Sequence, residues 1–189
     1  VNLATNTASG GEAAGDEISG FENVIAGQGA DTLTGTAGVN RLEGGDGADV
    51  LIGGGGADTL IGGLHSDTAS YAGSTEGVQV NLAVTTAQTS TGDASGDVLS
   101  GIETVVGSSY ADTLTGDANA NRLEGGDGDD TLIGAGGSDT LVGGAGVDTA
   151  DYSGGGSSVT VTLTGSGLTA AGSANATNST IALSLIHIS

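Results

Sequence analysis

The sequence predicts an all-β chain: a parallel β-roll, that is a right-handed β-solenoid, in two repeat blocks joined by a β-rich linker. Three observations carry this. Apolar residues recur every nine positions, at Val24, Leu33, Leu42, Leu51, Leu60 and Ala69, and again at Val105, Leu114, Leu123, Leu132, Leu141 and Ala150. Two residues before each stands a carboxylate or its amide: Glu22, Asp31, Asn40, Asp49, Asp58 and Asp67, then Glu103, Asp112, Asn121, Asp130, Asp139 and Asp148. The intervening stretches are rich in glycine, and a short fixed period of this kind marks stacked repeats rather than a conventional globular core.

Taken in order, residues 1–21 read as the tail of a preceding module and a lead-in linker. Val1-Asn2-Leu3 matches Val80-Asn81-Leu82, with two residues fewer before the next shared motif. Residues 22–70 form the first block. Residues 71–102 form a capping strand and linker, where Val78, Val80 and Leu82 alternate as in a half-buried strand. The nine-residue register breaks there and resumes at Val105, so each block is expected to fold separately. Residues 103–151 form the second block, a copy of the first: Asp31, Arg41 and Tyr71 recur 81 positions on as Asp112, Arg122 and Tyr152. Residues 152–182 repeat the capping strand as Val159, Val161 and Leu163 and then diverge. Residues 183–189, LSLIHIS, could be a short apolar strand. They also match the translation of a transposon-adapter end used in sequencing libraries, which would place the natural stop near Ala182.

Composition narrows the function. Two basic residues stand against 23 acidic ones, a formal net charge of −21. Phosphate has almost nothing to meet, so nucleic acid is not an expected partner, and anionic membranes repel the chain. The apolar runs are too short to span a bilayer. With no cysteine there is neither a disulfide framework nor a thiolate metal site. A self-repelling chain with ordered apolar positions and 2% aromatic residues needs counter-cations to fold.

The repeat unit shows where such cations would sit. Gly44 to Ile52 reads GGDGADVLI, Gly53 to Ile61 GGGGADTLI and Gly125 to Ile133 GGDGDDTLI. Six turn residues and three strand residues make half a coil, with the middle strand residue facing inward. Two nonapeptides complete a coil, so strands stack in parallel about 4.8 Å apart on two faces. Same-edge neighbours are then one coil apart. Asp31, Asp49 and Asp67 share one edge, and Asn40 and Asp58 the other. In the second block Asp112, Asp130 and Asp148 share one edge, and Asn121 and Asp139 the other. Neighbouring carboxylates roughly 5 Å apart repel by roughly 3 kcal/mol at an effective dielectric near 20, and a divalent cation between rungs reverses that sign. The candidate ligands are these Asp and Asn side chains with the turn carbonyls of Gly45, Gly47, Gly54, Gly56, Gly126 and Gly128. An all-oxygen set suits Ca²⁺ better than Zn²⁺ or Mg²⁺. Asp49 and Asp130, in the middle of their edges, are expected to serve an ion on either side.

These nonapeptides follow GGxGxDxUx, where U is a large apolar residue, and the chain resembles the RTX, or hemolysin-type, calcium-binding repeat family over nearly all of residues 1–163. GDEISGFENVIAG and GDVLSGIETVVG resemble the linkers between its repeat blocks. The resemblance implies a calcium-loaded β-roll, secretion by a one-step exporter and folding outside the cell, in company with other modules of a longer chain. Several turns depart from the pattern. Tyr110 and His65 hold the fourth, normally glycine, position. Thr36, Ser108, Asp117 and Ala135 replace the second glycine.

Other readings are weaker. Repeated Asp in register is hard to explain as a solvated surface alone. Tyr71 and Tyr152 are expected to cap the rolls, Arg41 and Arg122 to neutralise neighbouring acids, and Glu22 and Glu103 to hold the Asp register. No nucleophile–base constellation, HExxH or phosphate loop is present, so a non-enzymatic calcium-binding module is expected. The alternative is the calcium-dependent region of a secreted protease or lipase whose catalytic domain lies outside this sequence. An ice-binding solenoid would need a stacked Thr-x-Thr array, and Thr32-Leu33-Thr34 and Thr113-Leu114-Thr115 do not recur on successive coils.

Overall fold

A computed structural model describes residues 1–155 and the strand Thr180–Ala182. Val159, Val161, Leu163 and the segment 183–189 lie outside the described residues. Among the described residues the chain is all-β apart from two 3-10 turns, Gly11–Ala13 and Gly92–Ala94. In the first block the strands are β1 (Asn23–Ile25), β2 (Thr32–Thr34), β3 (Arg41–Asp46), β4 (Val50–Ile52), β5 (Thr59–Leu64) and β6 (Thr68–Ser70). The linker carries β7 (Gln79–Asn81) and β8 (Val98–Ser100). The second block has β9 (Thr104–Val106), β10 (Thr113–Thr115), β11 (Arg122–Asp127), β12 (Thr131–Ile133), β13 (Thr140–Ala145) and β14 (Thr149–Ala150), and β15 is Thr180–Ala182.

All named pairings are parallel, and within a block the registered partners lie eighteen residues apart: Val24 on Leu42 on Leu60, Leu33 on Leu51 on Ala69, Leu114 on Leu132 on Ala150. The coil is therefore eighteen residues, two nonapeptides, as the spacing predicts, and the fold is a parallel β-roll. One inward residue per strand makes a core of single-file ladders. Leu33, Leu42, Leu51, Leu60, Leu114, Leu123, Leu132 and Leu141 are all buried. Each contributes roughly 2 kcal/mol by leaving water.

The linker ties the blocks together. One seven-stranded sheet, ordered β2-β4-β6-β9-β11-β13-β15, runs through both. Ala69 of the first block registers directly on Val105 of the second. The opposite face is split into two four-stranded sheets, β1-β3-β5-β8 and β7-β10-β12-β14. Thus β8 reaches back to close the first block and β7 reaches forward to open the second. Ala69 and Val105 are 36 residues apart in sequence yet one strand apart in the sheet, so the linker absorbs one extra coil's length as an excursion. The copied residues then fall on opposite faces: Leu33 stands in the continuous sheet, Leu114 in the split face. Val1–Leu3 behaves as β7 does. Asn2 bridges Thr34, and the Leu3 N–H reaches the Thr34 carbonyl at 2.8 Å, matching Leu82 on Thr115 at 2.9 Å.

Candidate metal sites along the turn edges

Asp49, Asp58, Asp67, Asp112, Asp130, Asp139 and Asp148 each have the side chain folded back over their own turn. A Cβ built on Gly44, Gly53, Gly62 or Gly125 would collide with Oδ2 of Asp49, Asp58, Asp67 or Asp130. Glycine at the first turn position is therefore dictated by the Asp, whatever the backbone angle. Oδ1 of six of them accepts the backbone N–H of the residue one coil earlier, and Oδ1 of Asp112 takes the Val78 N–H at 2.7 Å. Asp49, Asp67 and Asp130 take the N–H of Asp31, Asp49 and Asp112 at 2.8 Å; Asp58 takes Asn40 at 2.7 Å, Asp139 Asn121 at 3.0 Å and Asp148 Asp130 at 3.1 Å. The predicted edge groupings are those observed. The rungs are joined by N–H···O bonds through Oδ1, which leaves Oδ2 of Asp49 and Asp130 as the oxygen without a hydrogen-bond partner.

That remaining oxygen separates two kinds of turn. Oδ2 of Asp49, Asp58, Asp67 and Asp130 is buried with no hydrogen-bond partner. In these four turns the second residue is glycine at positive φ: Gly45, Gly54, Gly63 and Gly126. The turns ending at Asp139 and Asp148 share this backbone, through Ala135 and Gly144. In three other turns the second residue is Thr36, Ser108 or Asp117, none of them at positive φ. There its own N–H turns inward, onto Asn40 Oδ1 at 2.6 Å, Asp112 Oδ2 at 2.6 Å and Asn121 Oδ1 at 2.8 Å. We call these closed turns and the former open. Both asparagines of the ladder sit in closed turns. An amide oxygen suffices to accept one N–H, whereas a buried carboxylate oxygen without a donor carries charge that needs a cation.

The open turns also supply carbonyls. A Cβ on Gly45 would meet the Gly27 carbonyl oxygen, on Gly63 that of Gly45, and on Gly144 that of Gly126. Carbonyls of the glycine positions thus line up along each edge, one per coil. Among the described residues no three acidic or imidazole side chains converge on one point. The Asp49, Asp58, Asp67 and Asp130 turns each have one carboxylate oxygen without a hydrogen-bond donor, backed by main-chain oxygens, an all-oxygen donor set that fits a hard divalent cation. The basic side chains are committed elsewhere, Arg41 to Glu43 at 2.8 Å and Arg122 to Glu124. His65, at φ 82, holds Asp46 at 3.0 Å in the open.

Asp97, which the nine-residue register does not reach, is fully buried. It continues the ladder at the junction: Oδ1 takes the Asp58 N–H at 2.8 Å, and Oδ2 takes the Tyr71 hydroxyl at 3.0 Å. Tyr71 thus caps the first block by supplying a proton where an open turn lacks one. Asp97-Val98-Leu99 carries the same Asp-x-apolar signal, but outside the nine-residue register. Glu103 does hold the register, accepting the Asp67 N–H at 3.0 Å.

The RTX calcium-binding nonapeptide repeat profile matches four times, at residues 18–43, 34–69, 97–132 and 115–150. The chain belongs to that family. Its repeats are calcium-binding, and Ca²⁺ is their cofactor. No curated protein matches the chain. The matched segments begin and end around the two blocks, and the third begins at Asp97, the ladder residue that the nine-residue register omits.

Burial pushes the carboxyls of Asp58 and Asp130 up to about 6, raises that of Asp67, and pushes Asp97 up to about 7. In the metal-free chain these groups bind protons more tightly folded than unfolded. Their stabilisation is fully present below the ordinary value of 3.8 and is lost as pH rises through about 6 to 7. Without calcium the chain should therefore hold more β-structure near pH 4 than near pH 8. Far-ultraviolet circular dichroism in calcium-free buffer checks this, and equal spectra would contradict it.

Proposed function

We propose that the open turns hold the calcium ions, that the closed turns do not, and that calcium binding folds the chain. The observation that carries this is the set of four buried, partnerless Oδ2 atoms on Asp49, Asp58, Asp67 and Asp130. The Asp139 and Asp148 turns join them by backbone conformation. Asp112, Asn40 and Asn121 act instead as internal acceptors that close their turns. The glycine carbonyls at the second and fourth turn positions, including Gly45, Gly47, Gly54, Gly56, Gly126 and Gly128, supply the remaining oxygens. The module is non-catalytic: its conformation responds to calcium. Affinity on the order of 10⁻⁴ M suits an extracellular module, silent at cytosolic calcium and loaded outside. That supports a secreted or cell-surface location, with the chain crossing the envelope unfolded and kept soluble by its charge of −21.

Native mass spectrometry at saturating calcium tests the assignment by counting ions. Four or more retained ions, one for each orphaned oxygen, is the expected result. Two or fewer would overturn the open-turn assignment.

A further inference from the structure

The two faces of the roll join the blocks differently. On the continuous face β6 pairs directly with β9. On the split face β8 and β7 stand at the ends of separate sheets. β8 is held by β5 of the first block and β7 by β10 of the second. A buried side chain from the linker, Gln88, spans this gap.

The Gln88 main chain bonds toward the first block. Its N–H reaches the Asp97 carbonyl at 2.7 Å, and its carbonyl takes the Gly96 N–H at 3.1 Å. The Gln88 side chain bonds toward the second. Oε1 takes the Asn81 N–H at 2.8 Å, and Nε2 donates to the Asn81 carbonyl at 3.1 Å. The amide thus acts as a peptide group added to the outer edge of β7. Asn2, the counterpart of Asn81, shows what it replaces: there the same two bonds go to the main chain of Thr7, at 2.8 and 3.0 Å. At Asn81 a side chain makes them, which leaves the Gln88 main chain to hold Asp97.

Both ends of this bridge lead to open turns. Asp97 Oδ1 takes the Asp58 N–H, and the Val98 N–H reaches the Asp58 carbonyl at 2.8 Å. Asp58 carries one of the orphaned oxygens. Just before β7, the Val78 N–H reaches Asp112 Oδ1 at 2.7 Å, and the Asp112 N–H reaches Asp130 Oδ1 at 2.8 Å. Asp130 carries another. Building on the open-turn assignment of calcium, we propose that Gln88 couples the two blocks, so that an ion in the Asp58 turn raises the calcium affinity of the second block. An ion on Asp58 Oδ2 fixes the rung that holds Asp97 and Val98. Asp97 then holds Gln88, and the Gln88 amide holds β7 in place beside β10. By reciprocity, calcium in the second block tightens the Asp58 turn by the same factor. Gln88 is a positioning residue and acts through β7.

A mutant cycle read by amide NMR of the full chain tests this, with calcium midpoints followed separately for residues 41–70 and 122–150. Asp58→Asn perturbs the first block's site. Gln88→Met removes both side-chain bonds and keeps the buried volume. Asp58→Asn should raise the second block's midpoint about fivefold or more when Gln88 is present, and less than about twofold in the Gln88→Met background. Ser90→Ala is the control, because the Ser90 hydroxyl braces the same edge through the Gln79 N–H at 2.8 Å and otherwise bonds the Thr91 carbonyl. In that background the effect of Asp58→Asn should persist. Should Gln88→Met fail to fold, Gln88→Glu keeps the acceptor, loses the donor and should transmit less than the parent. No effect on the second block in the parent, an undiminished effect in the Gln88 variants, or an equal loss in Ser90→Ala would overturn the coupling. A first block whose own midpoint ignores Asp58→Asn would overturn the open-turn assignment instead.

Discussion

A Val105→Asp variant should lose β-structure from both blocks, not from the second alone. Val105 is fully buried and lies in the continuous sheet between Ala69 and Leu123. An unpaired carboxylate there costs on the order of 4 kcal/mol, a large part of the stability of a domain this size. The loss spreads because the block boundary is not a boundary in the sheet. β8 closes the first block through Leu60 on Leu99, and β7 opens the second through Val80 on Leu114. Disrupting β9 frees the linker that carries both. Urea unfolding at saturating calcium should show one transition in the parent chain, and in the variant a β signal reduced by well over half. A variant that keeps the first block's half of the signal, with its own transition, would show that the blocks are independent.

Asp130→Asn and Asp112→Asn should separate sharply, although the two residues are neighbours on one edge. At Asp130 the substitution keeps an acceptor for the Asp112 N–H but removes the charge from a turn whose Oδ2 has no donor. One ion should be lost. The calcium midpoint should rise several-fold, since the remaining main-chain oxygens bring no compensating charge. At Asp112 the carboxylate already accepts the Ser108 N–H on Oδ2, and the Ser108 hydroxyl and the Val78 N–H on Oδ1. Asparagine stands at the corresponding place in the closed turns of Asn40 and Asn121. Asp112→Asn should therefore leave the ion count unchanged, while the Ser108 or Val78 N–H that loses its acceptor costs about 1–3 kcal/mol of stability. Equal ion loss in the two variants would contradict the division into open and closed turns.

The coil and the edge groupings were legible because the nine-residue period leaves no freedom. An inward residue every nine positions and an Asp two before it determine the eighteen-residue coil and which carboxylates share an edge. Three features were not legible, each for a physical reason. The continuity of the sheet through Ala69 and Val105 depends on the linker folding back to β5 and forward to β10, a tertiary choice made outside the period. Asp97 serves the ladder from a segment out of register, where spacing carries no signal. The third was the role of the second turn position. Thr36, Ser108 and Asp117 were visible as departures, but the sequence does not state that they keep φ negative and turn an N–H onto the side chain that an ion would otherwise need. That both asparagines sit in such turns is the one trace of this in the sequence.

The most direct test of calcium-held folding is far-ultraviolet circular dichroism of the whole chain near neutral pH, first in excess chelator and then through a calcium titration. With buried carboxylate oxygens uncompensated and a net charge of −21, the chelated chain should be largely unfolded. Calcium should then bring in β-structure cooperatively, with a midpoint on the order of 10⁻⁴ M, while magnesium at the same concentration should not. A chain equally β-structured in chelator and in calcium would contradict the claim that the ions hold this fold together.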